Sequence, residues 1–508
     1  MRTPTTRLLR RGGLMVGLLT LSLMATEVAL ADDVTLTDTE IRHAVNDEML
    51  TDPAVNSLQV DVAAVEGVVT LSGKVSNLLA RERAAKIAMT VRGVRSVINR
   101  IVVEPATRPS DADLMADVTD ALLKDPATES FEIGVLVTDG HVTLTGEVDS
   151  WQEVTLAKTV ARGVSGVREV TSSMTVEVPD VRPDPEIVAE IEKVFEWDVY
   201  LNHALIDVSS SKGEVKLSGL VGSLAEKDRA RMNAYIPGVK SVDTEGLQVK
   251  AHRNDERYRE GKFVDREDSA IADAVSSAML YDPRVNSTEV SVNVDDGFVT
   301  LRGEVDHLKA RRSAEMDARN TVGVIGVRNR VKVRPKTDRS AKAIRSDVEA
   351  AIVRDPYVEL HEITVKVKDD SVHLYGTVDS TFERAHADDV ASRTKGVLDV
   401  KNFLLVRDEL HPLIYEPYLD DYTVHAYDWY LYQPVVARKT DETLERAIRS
   451  ELWWSPFVDA ESIKVTVEDG VASLEGKIGS PSERLSAREN ALEGGAIKVI
   501  DNLTLSDE

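Results

Sequence analysis

One short pattern recurs six times along this chain with its spacing kept to the residue. A strand-like run ends in Leu-x-Gly, and an Ala-x-x-x-Ala pair begins eleven residues later. The glycines are Gly73, Gly146, Gly219, Gly303, Gly376 and Gly476. The leading alanines are Ala84, Ala157, Ala230, Ala314, Ala387 and Ala487, and each is followed by a second alanine four residues on, from Ala88 to Ala491. An apolar residue stands 32 positions before each glycine: Ile41, Leu114, Ile187, Ile271, Ile344 and Leu444. Repetition at a fixed period sets the architecture before any other reading. It divides the 508 residues into six modules of about 70 residues each. Modules this small are near the lower limit for an independent core, so neighbours are expected to pack on one another. Six copies of one unit also favour multivalent binding over a single catalytic centre.

The fourth copy shows the anatomy. Ile271, Val275, Ala278 and Met279 fall on one face of a helix. Asp282-Pro283 ends it, because a residue before proline is pushed out of the helical region. Val290, Val292 and Val294 alternate as a strand, and Asp295-Asp296-Gly297 signals a hairpin turn. In the next strand Val299, Leu301, Gly303 and Val305 share one face, while Thr300, Arg302 and Glu304 share a wet one. A second helix is expected from about His307 to Asn320, stopped by Gly323. Its alanines, opposite the strand glycine, are expected to let helix and sheet backbones approach closely. A last strand contains Val327, Asn329 and Val331. The class is α+β: six tandem α-β-β-α-β modules, each a three-stranded sheet with two helices on one face.

This order, with its Gly-x-Val-x-Leu-x-Gly-x-Val strand and closing Gly-Val turn, resembles the BON domain. The motif stands as Gly67 to Val75, Gly140 to Val148, Gly213 to Val221 and Gly297 to Val305. The fifth copy begins with Asp370 instead of glycine, and the sixth runs Gly470 to Ile478. The copies are placed at 37–104, 110–178, 183–250, 267–334, 340–406 and 441–506. A charged linker, 251–266, follows the third copy and suggests a three-plus-three division.

Residues 1–31 read as an export signal: Arg2, Arg7, Arg10 and Arg11, an apolar run from Leu14 to Ala25, and Ala29-Leu30-Ala31 before the cleavage point. An uncleaved anchor is the alternative. Cleavage removes the four arginines and Glu27, taking the net charge from -25 to -28. The expected location is the periplasm, with no membrane-spanning segment in the mature chain. So negative a surface disfavours nucleic acid and simple adsorption to anionic lipid. The chain has no cysteine, which excludes disulfides and thiolate chemistry. The ten histidines show no metal-ligand spacing. His361-Glu362 begins like a zincin motif, but Val365 stands where the second histidine would be. No catalytic residue, metal or cofactor is expected, and the chain does not read as an enzyme.

Two places depart from plain scaffolding. The insert 407–440 carries Tyr415, Tyr418, Tyr422, Tyr427, Trp429, Tyr430 and Tyr432. These rings either cap the flanking modules or meet a partner, glycan or lipid. Lys309, Arg311 and Arg312 form the densest local basic patch, on a helix face expected to be solvated. The resemblance implies an exported, non-catalytic protein tied to osmotic or envelope stress. It further implies binding to phospholipid or another envelope surface through the exposed part of a first helix. A periplasmic chaperone or protein scaffold is the second reading.

Overall fold

The computed structural model describes residues 36–505 apart from 251–265, 407–439 and stretches of one to five residues at 53, 107, 129–131, 177–181, 286–288, 338, 359, 361–362, 369–370, 456, 469, 480 and 497. The export signal, the charged linker up to 265 and the tyrosines and tryptophan of the insert lie outside the described residues.

Each module opens with a helix: Asp38–Thr51, Asp111–Lys124, Asp184–Trp197, Asp268–Leu280, Ala341–Arg354 and Asp441–Trp454. Two antiparallel strands follow, then a second helix, then a last strand that returns parallel to the central one. The central strand of the fourth module, Phe298–Val305, therefore lies between Val290–Asp295 and Gly326–Val333. In the first two modules the last strand is broken into two pieces. The second helices are Leu78–Thr90, Trp151–Arg162, Leu224–Asn233, Leu308–Arg319, Thr381–Ser392 and Pro481–Glu493. The expected fourth-copy helix is found, but Asn320 caps it, and Gly323 sits in the turn beyond with φ +83°. The paired alanines of that helix, Ala314 and Ala318, are fully buried with Val299, Leu301 and Val305 in one core.

The hairpin turn is tied to the first helix. The Asp268 carboxylate accepts the N–H groups of Asp296 and Gly297, each at 3.0 Å. Asp38, Asp111 and Asp184 do the same in the first three modules. The aspartate thus stabilises its helix N-terminus and fixes the turn in one stroke.

The strand glycine has a different reason from the expected one. Gly303 has φ +138°, and a Cβ there would lie 1.9 Å from the carbonyl oxygen of Glu289. At Gly73 the same atom would lie 2.1 Å from the Gln59 oxygen. The close approach is therefore to the backbone entering the neighbouring strand, not to the helix. At Gly73 and Gly303 the requirement is one of strand pairing.

The three-plus-three division does not hold, because contacts cross between the halves. The end of the first helix in module 3 bridges to module 4, with Val322 N–H donating to Trp197 O at 2.9 Å and Val199 N–H to Asn320 O at 3.2 Å. Module 5 lies against module 2 through Arg354 and Asp120 at 2.6 Å, and through Lys124 and Asp347 at 3.2 Å. It also reaches module 1, where the Tyr357 hydroxyl donates to Ala54 O at 3.3 Å. Modules 1 and 2 share one continuous apolar core. Module 6 meets module 1 at Trp453, under Arg92, and module 3 through the edge-on contact of Phe457 with Tyr200. Gly303→Ala is expected to cost at least ~1–3 kcal/mol from the left-handed backbone alone. Hydrogen exchange should show the loss concentrated in the fourth module, and protection equal to the unaltered protein would refute the account.

Candidate functional site

The first helices all end in the same way. In five modules an aspartate stands 21 residues before the strand glycine. Its Oδ1 accepts the N–H two residues on: Asp52 from Ala54, Asp125 from Ala127, Asp198 from Tyr200, Asp282 from Arg284 and Asp355 from Tyr357, at 2.7–2.9 Å. Ser455 Oγ takes that place in the sixth module, at 3.4 Å. Asp198 is followed by Val199, so the side-chain turn ends the helix even where no proline follows.

In modules 1, 3 and 5 the second carboxylate oxygen reaches the second helix. Arg83 Nε donates to Asp52 Oδ2 at 2.7 Å, and Arg229 Nε to Asp198 Oδ2 at 2.7 Å. His386 Nε2 lies 2.8 Å from Asp355 Oδ2. In each case the partner comes 31 residues after the aspartate. That spacing is visible in the sequence but is lost when copies are aligned by their common residues, since position 31 varies. Burial raises the Asp52 carboxyl even with Arg83 beside it. Burial also opposes charge on His386, yet Asp355 outweighs it and raises the imidazole above its ordinary value.

The basic patch is not a surface. Lys309 is buried, with its Nζ 3.1 Å from Asp389, and Arg312 lies 2.7 Å from Asp388. Both join module 4 to module 5. Burial alone would raise the Asp389 carboxyl, but Arg393 and Lys309 hold it well below the usual carboxylate range. Arg311 is half-buried, and its carbonyl accepts the Asn329 side chain at 2.7 Å. The expectation of a solvated basic face fails because acidic second-helix residues of the next module cover it.

One repeated exposed column is apolar. Leu50, Leu123, Leu280 and Val353 stand in the last turn of four first helices, each 57–65 % exposed. All four occur 23 residues before their strand glycine. The equivalent positions elsewhere are Glu196, paired with Arg266 at 3.0 Å, and Trp453, with Arg92 at 4.6 Å from its ring centre. Each exposed residue is off the helix face that builds the core, where Ile271, Val275 and Met279 are buried. The sequence carried this signal as an apolar column out of phase with the helical core stripe. Among the described residues no cluster of His, Asp and Glu is arranged to hold a metal, and no helix is long and apolar enough to cross a membrane.

A family model described as the BON domain matches residues 37–105, 110–178, 183–251, 267–335, 340–408 and 440–507. Osmotically-inducible protein Y of Escherichia coli K12 is 33% identical over 150 residues, 28% of this chain and 74% of that protein. Outer membrane lipoprotein DolP of Haemophilus influenzae is 29% identical over 116 residues, 22% of this chain and 60% of that protein. A solved structure of CdsD, a structural protein of the type III secretion system of Chlamydia trachomatis, aligns at 15% identity. It covers 40% of this chain and 90% of that one, with a TM-score of 0.11.

Two outcomes are expected at the helix ends. Arg83→Met strands the Asp52 carboxylate and should destabilise by about 3–5 kcal/mol. Adding Asp52→Asn should return part of that loss in a double-mutant cycle read by thermal unfolding, whereas simple additivity would refute the coupling. His386 contributes stability that is fully present below its unfolded value near ~6.5 and is lost as pH rises through its higher folded value. The difference in melting temperature between the unaltered protein and His386→Gln should therefore shrink with rising pH, and a difference that grows would contradict this.

Proposed function

Because the chain belongs to the BON domain family, we propose that it is a non-catalytic, multivalent binder of cell-envelope surfaces, exported to the periplasm and serving under osmotic or envelope stress. The observation that carries the reading is the repeated exposed side chain at the end of the first helix: Leu50, Leu123, Leu280 and Val353. Isolated exposed apolar residues are ordinary on a protein surface. Four at one position of a repeat are a shared property of the module. Full burial of one such side chain is worth about 1.5–3 kcal/mol, too little alone to hold a protein at a surface. Several acting together on one chain reach useful avidity. The contact is apolar insertion into a phospholipid interface, so it works in spite of a net charge of -25.

The names of the two curated relatives, one osmotically inducible and one an outer membrane lipoprotein, support the envelope setting. The strongly acidic surface favours a second reading, in which the same side chains hold exposed apolar segments of periplasmic proteins, as a chaperone or scaffold. The tyrosine-rich insert, with Tyr415 to Tyr432, is offered as an additional contact in either case.

The mature protein is expected to float with vesicles of zwitterionic phospholipid containing a minority of anionic lipid. Replacing Leu50, Leu123, Leu280 and Val353 together by serine should reduce the floated fraction about tenfold or more. Flotation that is unaffected by the four changes would exclude this surface. No flotation of the unaltered protein, together with suppression of client aggregation, would establish the chaperone reading instead.

A further inference from the structure

The modules enclose a cavity of about 490 Å³ that no single copy could form. Second helices of modules 1 to 5 contribute to its wall, and modules 3 and 4 add the ends of their first helices. The volume falls within the roughly 300–1,000 Å³ usual for small-molecule sites.

Its charge differs from that of the whole protein. The wall holds nine lysines and arginines against seven aspartates and glutamates, in a chain of net charge -25. Several of these carboxylates are already engaged: Glu82 with Arg162 at 3.0 Å, Asp198 with Arg229 at 2.7 Å, and Asp228 with Arg231 at 2.7 Å. Lys86 and Lys158, by contrast, make no ion pair among the described residues, though both are half-buried on the wall. Burial lowers the Lys158 ammonium, Arg162 lowers it further, and Glu82 opposes the shift. The site therefore holds two ammonium groups that no carboxylate pairs directly among the described residues, with Glu82 acting on Lys158 only from beyond ion-pair distance. Between the charged groups the wall also carries apolar side chains, among them Met89, Val194, Trp197 and Met232. Methionine adapts its shape readily to an inserted chain.

We propose that this cavity binds a single-chain anionic amphiphile, with its head group on Lys86 and Lys158 and its chain among Met89, Val194, Trp197 and Met232. The head is a carboxylate or a phosphate, since both take charge-assisted hydrogen bonds from lysine. The volume accommodates one acyl chain, and the two cations select against an uncharged head. The site is distinct from the exposed first-helix residues, none of which lines it.

Trp197 provides the readout. Titrating the mature protein with 11-bromoundecanoate below its micellar concentration should quench tryptophan emission saturably, and Trp197→Phe should remove most of that quenching. Laurate and a lauroyl lysophospholipid should each displace the probe, their relative strength telling a carboxylate head from a phosphate one. Dodecanol should be weaker than laurate by about tenfold or more. Lys86→Gln with Lys158→Gln should weaken laurate by a similar factor, and the arginine pair at the same positions should restore it. Circular dichroism checks that the variants fold. Absence of saturable quenching, equal displacement by dodecanol, or indifference to the glutamine pair would each overturn the site. The measurement uses monomeric ligand without vesicles, so its failure leaves surface binding to be decided by flotation alone.

Discussion

The buried carboxylate at the end of the first helix is the contact on which the rest of the molecule depends. With one oxygen it turns the chain out of the helix, as Asp52 does with Ala54 and Asp355 with Tyr357. With the other it reaches a cation on the second helix, Arg83 or His386. A buried ion pair is a weak source of net stability, but a demanding constraint on position. In modules 1, 3 and 5 it ties the two helices together near the region where modules meet. Tyr357, adjoining that turn in module 5, then reaches Ala54 beside the corresponding turn of module 1.

Much of the module was legible in advance, because its signals are local. Alternation along Phe298–Val305, the Asp-Asp-Gly turn and the apolar stripe of Ile271, Val275 and Met279 each reflect a period or a backbone preference that acts over a few residues. The glycine's close neighbour is not the one its spacing indicates. Spacing to Ala314 pointed to the helix, whereas the clash at Gly303 is with Glu289 across the sheet. Register between strands decides that contact, and a helical spacing argument does not contain it.

The assembly was not legible, for a related reason. Lys309 and Arg312 look solvated when only their own helix is considered, and the aspartates that cover them are about 80 residues away in sequence. Trp151 likewise finds its partner in Val239 O and the ring of Tyr235. Residues common to all copies build the module, so alignment of the copies brings them forward. Residues that join one copy to another differ from copy to copy, and the same alignment hides them. The exposed column at Leu50, Leu123, Leu280 and Val353 lies between these cases: it repeats, yet it serves no core.

The unequal junctions also act as addresses. Trp151 with Tyr235 suits only the join of modules 2 and 3, and Lys309 with Asp389 only that of 4 and 5. A chain with its copies reshuffled would lose these junctions, and with them the core that modules 1 and 2 share. The repeated residues supply the parts of this protein, whereas the residues that differ at the seams fix their order. The copies are alike in fold and no longer interchangeable in place.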